Sequence, residues 1–83
     1  MGTIKVSLPE PMTIDGKEVR ELEFREPLGA DIEGLIGTES LGKSVTKLAS
    51  SLCTNIPLSE DEIRAMSAKN YLSVSEVMMG FLG

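Results

Sequence analysis

Gly37-Thr-Glu-Ser-Leu-Gly-Lys-Ser44 satisfies the pattern G-x-x-x-x-G-K-[ST], in which backbone amides cradle phosphates and the lysine reaches them. Two other groups could carry chemistry: Cys53, the single thiol, and Glu60-Asp61-Glu62, the densest run of carboxylates. A working phosphate loop joins a buried parallel strand to a helix inside a larger α/β sheet and needs a second acidic strand for magnesium. A chain of 83 residues with strand signals only near its N-terminus has no room for that sheet, and Gly42 suits the start of a helix equally well. A small nucleotide-binding protein using Gly37 to Ser44 is therefore a rival reading, which a Lys43→Ala comparison in an ATP or GTP binding assay would separate. The chain has no histidine, so Cys53 has no imidazole to activate it and the commonest general base and metal ligand are both missing. Placed after Leu52 on an apolar helix face, Cys53 reads as a small buried hydrophobe. The three carboxylates fall in a first helical turn, where the partial positive charge of the helix end accounts for them, and no calcium-loop pattern surrounds them. No residue is assigned a catalytic, cofactor or metal role, and the expected function is binding another protein.

The elements that position these residues follow from periodicity. Ile4, Val6 and Leu8 alternate with Lys5 and Ser7, the period-two pattern of a strand with one face on a core. That strand is expected to end at Pro9, with Met12 and Ile14 resuming the alternation after the Pro9-Glu10-Pro11 break. Asp15-Gly16 tolerates the positive φ of a tight hairpin turn, and a return strand over 18–25 points Leu22 and Phe24 to one face. Val19 is out of phase with them, which signals a bulge. Pro27 suits a first helical turn. A short or irregular helix over Asp31 to Ile36 places Ile32, Leu35 and Ile36 on one side, weakened by Gly29, Gly34 and Gly37. Leu41, Val45, Leu48 and Leu52 recur at four, three and four, predicting a core helix with Lys43, Lys47 and Ser50 turned to water. Ser59 and Glu62 have the spacing of a capping box and start a short helix to about Met66. Ser67 is expected to cap a last helix running to Phe81 and Leu82, with Gly83 closing it. The fold class is α+β: an N-terminal antiparallel β-hairpin region, residues 1–26, followed by a helical region, residues 27–83, of three or four short helices, all in a single domain.

Composition narrows the partners. Thirteen acidic against eight basic residues give a net charge of −5, which opposes nucleic acid and anionic membranes because both draw on basic patches. The acids concentrate in residues 10–39, whereas residues 40–58 carry Lys43 and Lys47 and no acid. An acidic inhibitor or adaptor mimicking nucleic acid would need carboxylates in a regular double row, and these are scattered. No run approaches the roughly 18 to 20 apolar residues of a membrane span, and no signal peptide pattern opens the chain. With a lone cysteine this domain is held by packing alone, as in a reducing compartment, so a soluble cytosolic protein is expected.

The last helix carries the functional reading. Tyr71, Leu72, Val74, Val77, Met78, Met79, Phe81 and Leu82 are eight apolar residues in twelve, covering roughly 220° of the helix where a core-facing stripe needs little over 100°. Something else should cover the excess, and the adjacent methionines offer a surface that adapts to a partner. Tyr71, Val74, Val77, Met78, Met79, Phe81 and Leu82 are the candidate partner-binding residues. Replacing Met78 and Phe81 by Asp or Ser is expected to spare the fold and abolish partner binding.

The layout as a whole resembles a known family. Ile4-Lys-Val-Ser-Leu8, Met12-Thr-Ile-Asp-Gly-Lys-Glu-Val19, Leu22-Glu-Phe-Arg-Glu-Pro27, Asp31, the leucine-rich middle helix, Ile56-Pro-Leu-Ser-Glu-Asp-Glu-Ile63 and the Tyr71 to Leu82 helix are similar, in order and length, to the small tail assembly chaperones of contractile-tailed phages, the Mu-like and P2-like group. Where that family tends to have an acid before the aromatic of the last helix, this chain has Asn70. The resemblance implies a non-catalytic protein without cofactors that works in the host bacterial cytoplasm during tail morphogenesis and is absent from the finished virion. It implies coating of the tape-measure protein by many copies, hence a homo-oligomer, and contact with the tail-tube protein through a longer frameshifted product.

Overall fold

Asp15 and Gly16 adopt φ of 51° and 77°, the paired left-handed conformation of a type I′ turn, which Asp tolerates and Gly adopts freely. They join β1, Thr3–Ile14, to β2, Lys17–Arg25, and the two strands form a two-stranded antiparallel sheet in a computed structural model that describes residues 2–37 and 40–82. The first strand does not end at Pro9. It continues through Pro9 and Pro11, and the register slips between the Ser7↔Glu21 and Met12↔Val19 pairs. Four residues of β1 there oppose the single residue Arg20, so the bulge signalled by Val19 is real, with its extra residues on β1. Prolines are accommodated because the irregular stretch requires no ladder amide from them.

The inner face of the hairpin is apolar: Val6, Leu8, Ile14, Val19, Leu22 and Phe24 are buried. The helices are α1 (Gly29–Glu33), α2 (Leu41–Leu52), α3 (Glu60–Ala65) and α4 (Ala68–Leu82); α4 packs on β1 and α2 on β2, with α3 against α2. α2 brings Val45, Leu48, Ala49 and Leu52 to the same core, and the segments around α3 add Leu58, Ile63 and Met66. The Ser59 box forms as expected: the Ser59 hydroxyl accepts from the Glu62 amide at 3.1 Å, and the Glu62 carboxylate accepts from the Ser59 amide at 2.9 Å. Ser40 caps α2 by accepting from the Lys43 amide at 3.2 Å.

Three further expectations need correction. The first helix starts at Gly29 and lasts five residues, so Pro27 stands before its cap, Leu28. Beyond Gly34 the chain continues as turns, which takes Ile36 off any helical face and leaves it 80% exposed. Leu41, at the other end of the helical pattern, is 59% exposed, because the first turn of α2 overhangs the packed part of the bundle. Ser50 is half-buried rather than turned to water, and its hydroxyl donates to the Leu58 carbonyl at 2.7 Å.

α1 buries no residue and depends on polar latches. Arg25 grips Asp31 in a two-pronged ion pair at 2.8 and 3.0 Å, Asp31 also accepts from the Leu28 amide at 2.7 Å, and Lys47 donates to the Gly34 carbonyl at 2.9 Å. The Arg25 guanidinium first, and the Leu28 amide next, lower the Asp31 pKa from 3.8 to about 2. A depressed carboxylate contributes stability that is present above its unfolded value and lost as pH falls through the folded one. The protection factors of the amides over residues 29–36 are therefore expected to fall between pH 4 and pH 2, while those of α2 do not, and Asp31→Asn should give the acid behaviour at neutral pH. Equal exchange in wild type and variant would show that the pair holds nothing.

Candidate partner-binding surface

Both ends of the hairpin's hydrogen-bonding problem are met by asparagines. Asn70, at the start of α4, is 1% exposed; its Oδ1 accepts from the Glu10 amide at 3.0 Å and its Nδ2 donates to the Glu10 carbonyl at 2.8 Å. One side-chain amide thus mimics a strand partner for the irregular part of β1. Asn55, after α2, does the same for β2: Oδ1 accepts from the Glu23 amide and Nδ2 donates to the Glu21 carbonyl, each at 3.0 Å. The Asn70 clamp fixes the root of α4, and Ser67 caps it as expected by accepting from the Asn70 amide at 3.3 Å. Neither role was foreseen, because the partners are separated by 60 residues and by 32 or 34. Asn70→Ala orphans both Glu10 groups and is expected to lower stability by about 1 to 3 kcal/mol, read as a shifted urea midpoint at constant slope; a smaller shift is expected for the exposed Asn55→Ala.

From that root α4 divides its apolar residues between core and water. Val74 and Met78 are 0% exposed, enclosed by the hairpin and α2. Tyr71, Val77 and Phe81 are half-buried at the edge of the core. Met79 and Leu82 are open to water at 42% and 38%. The most exposed apolar residue of the helix, Leu72 at 65%, was not among the candidates; it lies seven residues before Met79, on the same side two turns away. Of the seven candidates, then, Met79 and Leu82 face outward, three form the rim, and Val74 and Met78 belong to the monomer's core. The expectation that Met78→Asp spares the fold does not hold at a fully buried position.

The open row continues onto α2 through a shallow groove of about 190 Å³ lined by Leu41, Gly42, Val45, Tyr71, Ser75 and Met79. Tyr71 closes its floor by donating to the Gly42 carbonyl at 3.3 Å, the same oxygen that accepts from the Thr46 hydroxyl at 3.0 Å. Leu41 stands opposite Met79 on the groove wall, so the exposed surface is a joint product of two helices.

The remaining chemistry candidates are occupied elsewhere. Gly37 has a φ of 89° and follows α1 and a turn, not a strand; Thr38 and Glu39, the middle of the phosphate-loop pattern, lie outside the described residues. The Lys43 amide is taken by Ser40 and the Gly42 carbonyl by Tyr71 and Thr46. Glu62 is committed to its cap, while Glu60 and Asp61 pair with Arg64 at 3.3 Å each. Cys53 is half-buried, not fully enclosed; burial pushes its thiol pKa up, which holds it in the unreactive form. Among the described residues no helix is long and apolar enough to cross a membrane.

Comparison with known proteins places the chain in a family. The model of the family described as phage tail assembly chaperone proteins, E, or 41 or 14, matches residues 5–83. Searches of curated proteins and of solved structures find no significant match.

Proposed function

Because the chain belongs to the phage tail assembly chaperone family, we propose that it binds the tape-measure protein during tail morphogenesis and holds that long, coil-forming chain until the tube assembles around it. The single observation that carries this is the apolar row Leu72, Met79 and Leu82 beside Leu41, large side chains left in water on two neighbouring helices. An exposed patch of this kind is a liability unless a partner covers it, and the unbranched Met79 adapts to a succession of different apolar side chains. Coating a long chain requires many copies, so the protein works as a non-catalytic homo-oligomer in the host bacterial cytoplasm and leaves before the virion is finished. The tail-tube protein is the second partner, met as the coat is displaced. Co-expression with the tape-measure protein tests the reading: the two should co-purify, and the tape-measure protein alone should be insoluble. Independent solubility of the tape-measure protein, with no capture by this chain, would end it.

A further inference from the structure

Two of the four edge segments of the hairpin are met by the rest of the chain. The β2 edge is closed by its own chain: the Thr54 amide donates to the Glu23 carbonyl at 2.8 Å, and Asn55 takes the Glu23 amide and the Glu21 carbonyl. The irregular half of β1 is clamped by Asn70 at Glu10. The start of β1 has no such closure. Glu21 and Glu23 turn their backbone groups away from β1, toward Asn55 and Thr54, and they stand opposite Ser7 and Lys5. In an antiparallel ladder, directly opposed residues point their backbone groups both inward or both outward. Lys5 and Ser7, and by the same alternation Thr3, therefore aim their amides and carbonyls outward, and among the described residues no group of the chain meets them. Their side chains are exposed, so the edge is open.

We infer that this edge pairs with the same edge of a second copy, β1 antiparallel to β1, joining two hairpins into one four-stranded sheet. The occupant follows from the edge's own sequence. In the register that sets Val6 opposite Val6 of the second copy, Lys5 pairs with Ser7, and Ile4, 40% exposed in one copy, gains Leu8 as its cross-strand neighbour on the core face. The register one step away, with Lys5 opposite Lys5, sets like charges against each other. Each ladder ends at Pro9, which has no amide to offer opposite Thr3. The paired stretch is short, so the association is weak and concentration-dependent. It rests on a surface separate from the α2–α4 groove and deepens the proposed function by leaving that groove free for the tape-measure protein in every copy.

Light scattering behind size exclusion, run on the full chain from micromolar to millimolar, reads the outcome. Wild type is expected to rise from 8.9 kDa toward twice that mass. Lys5→Pro removes an outward amide that the hairpin does not use, and Ser7→Lys places a lysine opposite Lys5; both should stay at monomer mass and keep the wild-type circular dichroism. A wild type that stays monomeric at millimolar concentration overturns the inference, and so do edge variants that are folded and still dimeric. Capture of the tape-measure protein is measured in parallel. Edge variants should retain it, which separates failure of the dimer from failure of the proposed function; loss of capture by monomeric, folded edge variants would assign the edge to that partner instead of to a second copy.

Discussion

Met78→Asp is expected to leave no cooperative unfolding transition at neutral pH, whereas Met79→Asp, one residue on, should unfold in urea within about 0.5 kcal/mol of wild type. Met78 is 0% exposed and Met79 42%. At the first position the thioether fills space between the hairpin, α2 and α4; removing a buried Met side chain costs about 2 to 5 kcal/mol before any charge is considered. A carboxylate there must either stay ionised without a partner or take up a proton at a pKa raised by up to about 3 to 5 units, each unit being about 1.4 kcal/mol. A domain of 83 residues has about 4 to 12 kcal/mol in total, so the sum is of the same size as all that is present. Wild type should lose its structure in one transition because strands and helices share a single core cluster. A folded Met78→Asp protein with a near-native midpoint would mean that α4 is not seated as described.

The contrast between two adjacent methionines also marks how far sequence reading reaches in this fold. Local rules carried the Asp15-Gly16 turn, the Ser59 box, the Ser67 cap and the Val45-Leu48-Leu52 face of α2, because each depends on residues within one or two turns of one another. The hairpin-then-helices order and the family resemblance were equally legible. What was hidden depends on partners far along the chain. Whether Pro9 ends a strand depends on Asn70, 61 positions later, whose amide supplies the bonds that a prolines-flanked Glu10 cannot get from β2. Whether Leu41 is core depends on where α4 crosses α2. The wide apolar arc of α4 is only partly enclosed, but periodicity cannot say which edge of a 220° arc the hairpin takes; the hairpin took the side of Val74 and Met78 and left Leu72 and Met79. Only the exposure of Leu72, the least enclosed apolar residue of α4, would have corrected the candidate set, and no pattern in twelve mostly apolar residues singles it out.

Leu72→Asp with Met79→Asp is expected to abolish capture of the tape-measure protein while the variant folds normally. Both side chains stand in water in the free chain, so a carboxylate at either position loses no core packing and finds its hydration intact. In the complex the same positions would be enclosed by apolar side chains. A central interface residue that becomes buried on binding contributes about 2 kcal/mol or more, about 30-fold in affinity for each position, and a trapped carboxylate opposes binding further. Leu41→Asp tests whether the partner lies along the groove or only on α4: a comparable loss places both helices under it, and undiminished binding confines it to the outer side of α4. Because no β1 residue lines the groove, the dimer should persist in both variants, so lost capture cannot be ascribed to lost association. If the folded double variant still captures the tape-measure protein at wild-type strength, the row of exposed leucine and methionine is not the chaperone surface, whatever the family to which the chain belongs.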